Sequence, residues 1–192
     1  MLGVGGYLVY SEWNPTRTAM TTLTLTKRVV IHDREGKTST LYRIQKVRAN
    51  DRWVEEIWFR DMVTDGSFGP VKIDGEIQRE VTRLGCLRSY SKKINLARGK
   101  TREVKLECSV SDAFPSSEEG LLHEVGQGTE CLVLEVELPA DRVCLLAQLT
   151  LDAAGETARI LQEPEISTDR RTICSAIKNP KTGFTYNLSW TW

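Results

Sequence analysis

The chain has 192 residues, 40% hydrophobic and 27% charged, with 26 basic side chains set against 26 acidic ones. That is enough apolar material for a core beneath an ordinary soluble surface, and no apolar run approaches the roughly 18–20 residues of a membrane helix. Met1 to Tyr10 has no basic leader and is too short to span a bilayer, so a cytoplasmic protein without membrane contact is the expectation.

The neutral total hides blocks of opposite sign. Arg79 to Lys105 carries nine basic residues and two acidic ones, whereas Glu107 to Asp169 carries fourteen acidic residues and two basic ones. Such blocks either neutralise one another across neighbouring strands or form separate faces for charged partners. The five cysteines, at 86, 108, 131, 144 and 174, are 22, 23, 13 and 30 residues apart. No CxxC pair occurs and the count is odd, which reads as reduced thiols packed as small hydrophobes.

Residues 1–20 form a poorly patterned N-terminal segment, with one short edge strand expected at Tyr7–Tyr10. Its glycines, Gly3, Gly5 and Gly6, lack the preceding strand and following helix that a phosphate loop requires. Thr22–His32 reads as the first strand. Asp33 to Lys37 is a hairpin turn and Thr38–Val47 the returning strand. Trp53–Val63 is apolar on both sides: strict alternation puts Trp53, Ile57 and Phe59 on one face and Val54, Trp58 and Met62 on the other. It is the candidate for a central strand, or for one whose outer face meets a partner. Asp74-Gly75 closes a short hairpin, a weak strand follows at Glu76–Leu84, and the basic block holds another at Lys93–Leu96.

Thr101–Val110 alternates cleanly, with Val104, Leu106, Cys108 and Val110 inward. After a loop at Ser111–Gly120 come Leu121–Val125, Cys131–Leu138, Arg142–Leu151 and Thr157–Gln162. Arg171–Ile177 is expected to pair with the final strand through Asn179–Gly183. In that final strand, Phe184, Tyr186, Leu188, Trp190 and Trp192 alternate with small polar residues. Its four rings would bury roughly 600–1000 Å² at about 150–250 Å² each. The expected fold is all-β, an antiparallel two-sheet β-sandwich of about nine to eleven strands, with residues 21–192 as one domain.

Catalytic patterns are sparse. No Gly-x-Ser-x-Gly elbow occurs. His32 sits beside Asp33 at a strand end, and His123 lies in a short apolar segment. Asp61, Asp65 and Asp74 match no calcium-loop spacing, and no cofactor or metal is expected. Phosphate or nucleic-acid binding by the basic block would use Arg88, Tyr90, Lys92, Lys93, Arg98, Lys100 and Arg102. The competing reading has those charges neutralised by acidic strands such as Cys131–Leu138.

Val133 to Arg142, a strand ending on Pro139 and a charged turn, precedes the Gly183–Trp192 strand. This succession resembles all-β accessory domains of bacterial signalling and conflict-system proteins. The resemblance implies a non-enzymatic sensor or tether, with effector activity in a protein partner or fused effector. Two functions follow as expectations. The first is a binding or regulatory module acting through protein contact, with Trp53, Trp58 and Met62 at the interface. The second is phosphate or nucleic-acid binding through the basic block, or an enzyme acting on a nucleotide or other phosphorylated substrate with His32 or His123 moving the proton.

Overall fold

A computed structural model of the chain describes residues 19–50, 53–84, 87–152 and 158–192. The described residues are all-β, without a helix, so none is long and apolar enough to cross a membrane. The expected strand at Tyr7–Tyr10 lies outside the described residues, as does Cys86. Fifteen strands occur among the described residues. They are β1 (Met20–Ile31), β2 (Thr38–Ala49), β3 (Trp53–Met62), β4 (Ser67–Ile73), β5 (Glu76–Ile77), β6 (Thr82–Leu84), β7 (Leu87–Ala97) and β8 (Thr101–Ser111) in the first half. In the second half come β9 (Glu118–Glu124), β10 (Cys131–Glu137), β11 (Leu146–Asp152), β12 (Arg159–Gln162), β13 (Glu165–Ile166), β14 (Thr172–Lys178) and β15 (Thr185–Thr191).

The strands form three sheets where two were expected. The large one has the order β13-β14-β10-β1-β2-β8-β4-β5, a second is β12-β11-β15-β9, and a third is β3-β7-β6. The large sheet is antiparallel except at its centre, where β1 runs parallel to β10 with Leu25 opposite Leu132 and Val29 opposite Val136. On one face of that sheet Leu25, Val29, Ile31, Leu132, Leu134, Val136, Leu106 and Ile173 are buried in the core. The same core cluster includes Ile57, Phe59, Ile94 and Leu96 of the three-stranded sheet, and Leu149, Leu188 and Trp190 of the four-stranded sheet.

Turn chemistry agrees with the sequence reading. The β1–β2 hairpin turns through Gly36 at φ 68°, where a Cβ would stand 1.7 Å from the carbonyl oxygen of Phe114, so no other residue fits. Asp74 and Gly75, both at positive φ, close the β4–β5 hairpin as a primed turn requires.

Two pairings differ from expectation. β14 does not pair with β15; it lies between β10 and β13, and β15 runs between β11 and β9 in a different sheet. Asn179, at φ 48°, redirects the chain between the two sheets, and its N–H donates to the carbonyl of Glu130 rather than closing a hairpin. β3 is an edge strand rather than a central one. Its alternation is broken by register shifts at Val54/Glu56 and Phe59/Met62. The extra residue lies on β7 at the first shift and on β3 at the second, and the phase of β3 reverses across both, so Val54, Ile57, Phe59 and Met62 are all buried.

The aromatic strand behaves as its pattern demands. Tyr186, Leu188 and Trp190 are buried, and Phe114 packs against Trp190 with ring centroids 5.8 Å apart. Trp192 donates its indole N–H to the carbonyl of Ser116 at 2.6 Å, whereas the buried indole nitrogen of Trp190 has no hydrogen-bond partner. Trp190 therefore contributes packing and no net hydrogen bond. Trp190→Ala should cost about 3–5 kcal/mol and Trp190→Phe clearly less; urea unfolding of the two variants checks this ordering.

Candidate functional site

The residues singled out by sequence do not converge on one site. On β3, Met62 is 5% exposed and belongs to the core, so it is removed from any interface. Trp53 is 59% exposed and Trp58 half-buried. The first bulge puts these two tryptophans on the same outer face of the three-stranded sheet, where strict alternation would separate them. The Arg60 guanidinium lies 5.3 Å from the centre of the Trp58 ring on that face. Glu56, opposite Lys93 on β7, adds a second charge pair of positions beside them.

The basic block is largely committed to neighbours. Arg88 is paired with Glu80 at 3.7 Å and lies over the Phe68 ring at 5.2 Å. Lys92, on the inward-facing side of β7, is paired with Glu76. Arg102 reaches Asp74 at 3.4 Å and the Ile94 carbonyl at 3.3 Å. Tyr90 is 4% exposed, so its ring offers no stacking platform for a base. Lys93, Arg98 and Lys100 remain exposed. The neutralising acids are those of the β4–β6 segment, not the β10 acids expected. Glu135 and Glu137 pair instead with Arg28 across the β1–β10 ladder, at 3.1 and 2.6 Å.

A basic cluster that the sequence does not advertise lies on the inner face of the large sheet. Lys27 and Arg43 are register partners on β1 and β2, and buried His123 of β9 lies within reach of both their charges. Lys27 donates to the carbonyl of Leu122 at 2.7 Å, and burial, then Arg43, lowers its ammonium to about 8. Arg43 donates to the carbonyl of Arg60 at 3.0 Å and stacks on Phe59 at 5.7 Å. Burial first, with Arg43 and Lys27 adding to it, drives the His123 imidazole down to about 2. His123 is thus a neutral ring beside two cations. His32 is exposed and sits 2.8 Å from the Thr40 hydroxyl, on the solvent side.

Beside this cluster a cavity of about 390 Å³ opens between the large sheet, the four-stranded sheet and the turn after β3. Lys27, Val29, Leu41 and Val110 of the large sheet line it, with Phe114. Val63, Thr64 and Asp65 of the turn after β3 line it too, as do Glu118 to Leu122 of β9. Neither histidine lines it. The Glu119 carboxylate accepts the Ser116 backbone N–H at 2.6 Å, and burial raises its pKa, with the charge of Asp65 acting in the same direction. This volume, with its mixed polar and apolar lining, suits a small ligand.

No protein-family model matches the sequence, and comparison with curated protein sequences gives no match. Solved structures do share the fold. A variant of an M1 zinc metallopeptidase from Deinococcus radiodurans superposes with a TM-score of 0.51 at 10% identity, over 88% of this chain. The chain spans 42% of that peptidase's length. A putative nutrient binding protein from Legionella pneumophila gives a TM-score of 0.54 at 10% identity, covering 88% of this chain and 67% of its own. These likenesses concern the fold alone.

A zinc enzyme among the neighbours makes the donor set worth testing. His123-Glu124-Val125-Gly126-Gln127 comes nearest to the His-Glu-x-x-His zinc pattern. Gln127 stands where the second histidine is needed, and the segment is the end of a strand rather than a helix. The His123 ring is surrounded by cations, which repel a metal ion. Among the described residues no group of three His, Cys, Asp or Glu side chains could hold a metal. The residues do not fit zinc.

The electrostatics of His123 give a testable pH dependence. Below its ordinary pKa of about 6.5 the unfolded chain binds a proton that the folded chain refuses. Stability is therefore full above that pH and falls as the pH drops, by up to about 1.4 kcal/mol per unit from this group. His123→Gln should flatten the stability profile between pH 6.5 and 5 relative to the wild type in urea titrations.

The charge partners give a second test. Lys92→Glu faces Glu76 and should cost about 1 kcal/mol or more, whereas exposed Lys93→Glu should stay within about 0.5 kcal/mol. Melting temperatures of the two single variants decide the ordering.

Proposed function

We propose that the chain is a non-enzymatic binding or regulatory module that acts through protein contact, using the outer face of the β3-β7-β6 sheet. The observation that carries this reading is the placement of Trp53 and Trp58, with Arg60 stacked on the latter, on one solvent-facing side of an edge strand. Tryptophan and arginine are among the side chains that most often dominate protein interfaces, the first through its large rigid ring and the second through its planar, five-donor guanidinium. A sensing or tethering role of the kind suggested by the resemblance to bacterial accessory domains suits such a face, with effector chemistry residing in the partner or a fused effector. A reducing, cytoplasmic setting suits the four free thiols at 108, 131, 144 and 174.

Phosphate or nucleic-acid binding is less favoured. Arg88, Lys92 and Arg102 already face carboxylates and Tyr90 is buried, leaving Lys93, Arg98 and Lys100 to track a backbone. A nucleotide-directed enzyme has still less support, since His123 is held neutral in the interior and His32 is engaged with Thr40.

Affinity capture with the wild type and the Trp53→Ala/Trp58→Ala variant tests the proposal. Both side chains are at least partly exposed, so the variant should keep the wild-type melting temperature within a few degrees. A protein retained by the wild type and lost from the variant is the expected result. Identical sets of captured proteins on the two would count against this face.

A further inference from the structure

The cavity beside β9 combines apolar lining side chains with carboxylates that have no counter-ion. Val29, Leu41 and Val110 come from β1, β2 and β8, neighbouring strands of the large sheet, and all are buried. Asp65 in the turn after β3 and Glu119 on β9 both line the cavity, near enough for the Asp65 charge to help raise the Glu119 pKa, and Glu118 is exposed beside them. Among the described residues no basic side chain lies within salt-bridge distance of Asp65, Glu118 or Glu119. The one base lining the cavity, Lys27, has its ammonium turned to the Leu122 carbonyl. Glu119 is held in place by the Ser116 N–H, so its orientation is set before any ligand arrives.

We propose that this cavity is a binding site for a small organic ammonium ion carried on an apolar body. The apolar body lies against Val63, Leu122 and Phe114, the apolar lining side chains that keep exposed surface, and the ammonium is held by Asp65 and Glu119.

Three features set this chemistry apart from the alternatives. Two carboxylates lining one cavity repel each other and an anionic ligand alike, and a cation near both removes that repulsion. The partial burial of Glu119, which disfavours its charge, is offset by the same cation. The volume of about 390 Å³ admits a one-ring amine and is too small for a folded partner segment. The ligand's ammonium must carry its own apolar group, because a bare metal ion or ammonium would leave Val63 and Leu122 uncovered.

The probe is 2-phenylethylamine, with 2-phenylethanol as the neutral analogue and 3-phenylpropionate as the anion. Binding to the full chain is read by the chemical shifts of cavity residues and by isothermal titration at pH 7. The amine is expected to bind at least tenfold more tightly than the alcohol, with the propionate weakest. Asp65→Asn and Glu119→Gln should each weaken the amine at least fivefold and leave the alcohol unchanged. Asp65 lies on an exposed turn, so its variant folds and tests the proposal alone if Glu119→Gln does not fold. Equal affinity for amine and alcohol, an Asp65→Asn variant that binds the amine as the wild type does, or no shift in cavity residues at 10 mM amine (roughly the weakest affinity a nine-heavy-atom ligand should show in a formed pocket) would each overturn it.

Discussion

The parallel pairing of β1 with β10 is the constraint on which the structure rests. β1 belongs to the β2-β8-β4-β5 half of the large sheet, and β10 brings in β14 and β13. The two strands meet with residues more than a hundred positions apart in register, from Leu25 opposite Leu132 to Val30 opposite Glu137. Such non-local pairing costs loop-closure entropy before it is rewarded by contacts. Here the reward comes on both faces. Leu25, Val29, Leu132, Leu134 and Val136 are buried on the inner face, while Arg28 is clasped between Glu135 and Glu137 on the outer one.

The same ladder creates the interior's main electrostatic burden. Lys27 falls on the inner face in phase with Leu25 and Val29, and its register partner is Arg43. Each solves the problem locally: Lys27 turns to the Leu122 carbonyl, and Arg43 to the Arg60 carbonyl and the Phe59 ring. These contacts reach β9 of one small sheet and β3 of the other, so the polar pair also links the layers. His123 accommodates its position by remaining neutral. The cavity opens beside this seam, where the large sheet, the four-stranded sheet and the turn after β3 come together.

Much of the strand content was legible because alternation in this sequence is strong where strands are regular. β8, β10 and β15 run without a bulge through their buried residues, and Val104 to Val110, Leu132 to Val136 and Tyr186 to Trp190 alternate as read. β3 misleads for the opposite reason, since two bulges reverse its phase and no residue type announces them. Sheet membership was not legible: the Asn179 turn looks like a hairpin but carries the chain from one sheet to another. The cavity was invisible too, because Val29, Leu41 and Val110 look like any core residues, and Asp65 and Glu119 are 54 positions apart in the chain and share a cavity only once it has folded. Charge blocks gave the right principle and the wrong partners, because Glu76 and Glu80 lie nearer in space to the basic strands than the long acidic stretch does.

Native-state hydrogen exchange of the backbone amides tests the central claim most directly. If the β1–β10 ladder welds the two halves of the chain, the amides of Leu25 to Val29 and of Leu132 to Val136 should exchange only through global unfolding. Their opening free energies should then coincide and should match the unfolding free energy from denaturant. Exchange of the β10 and β14 amides through a separate opening of distinctly lower free energy, with β1 and β2 still protected, would contradict it.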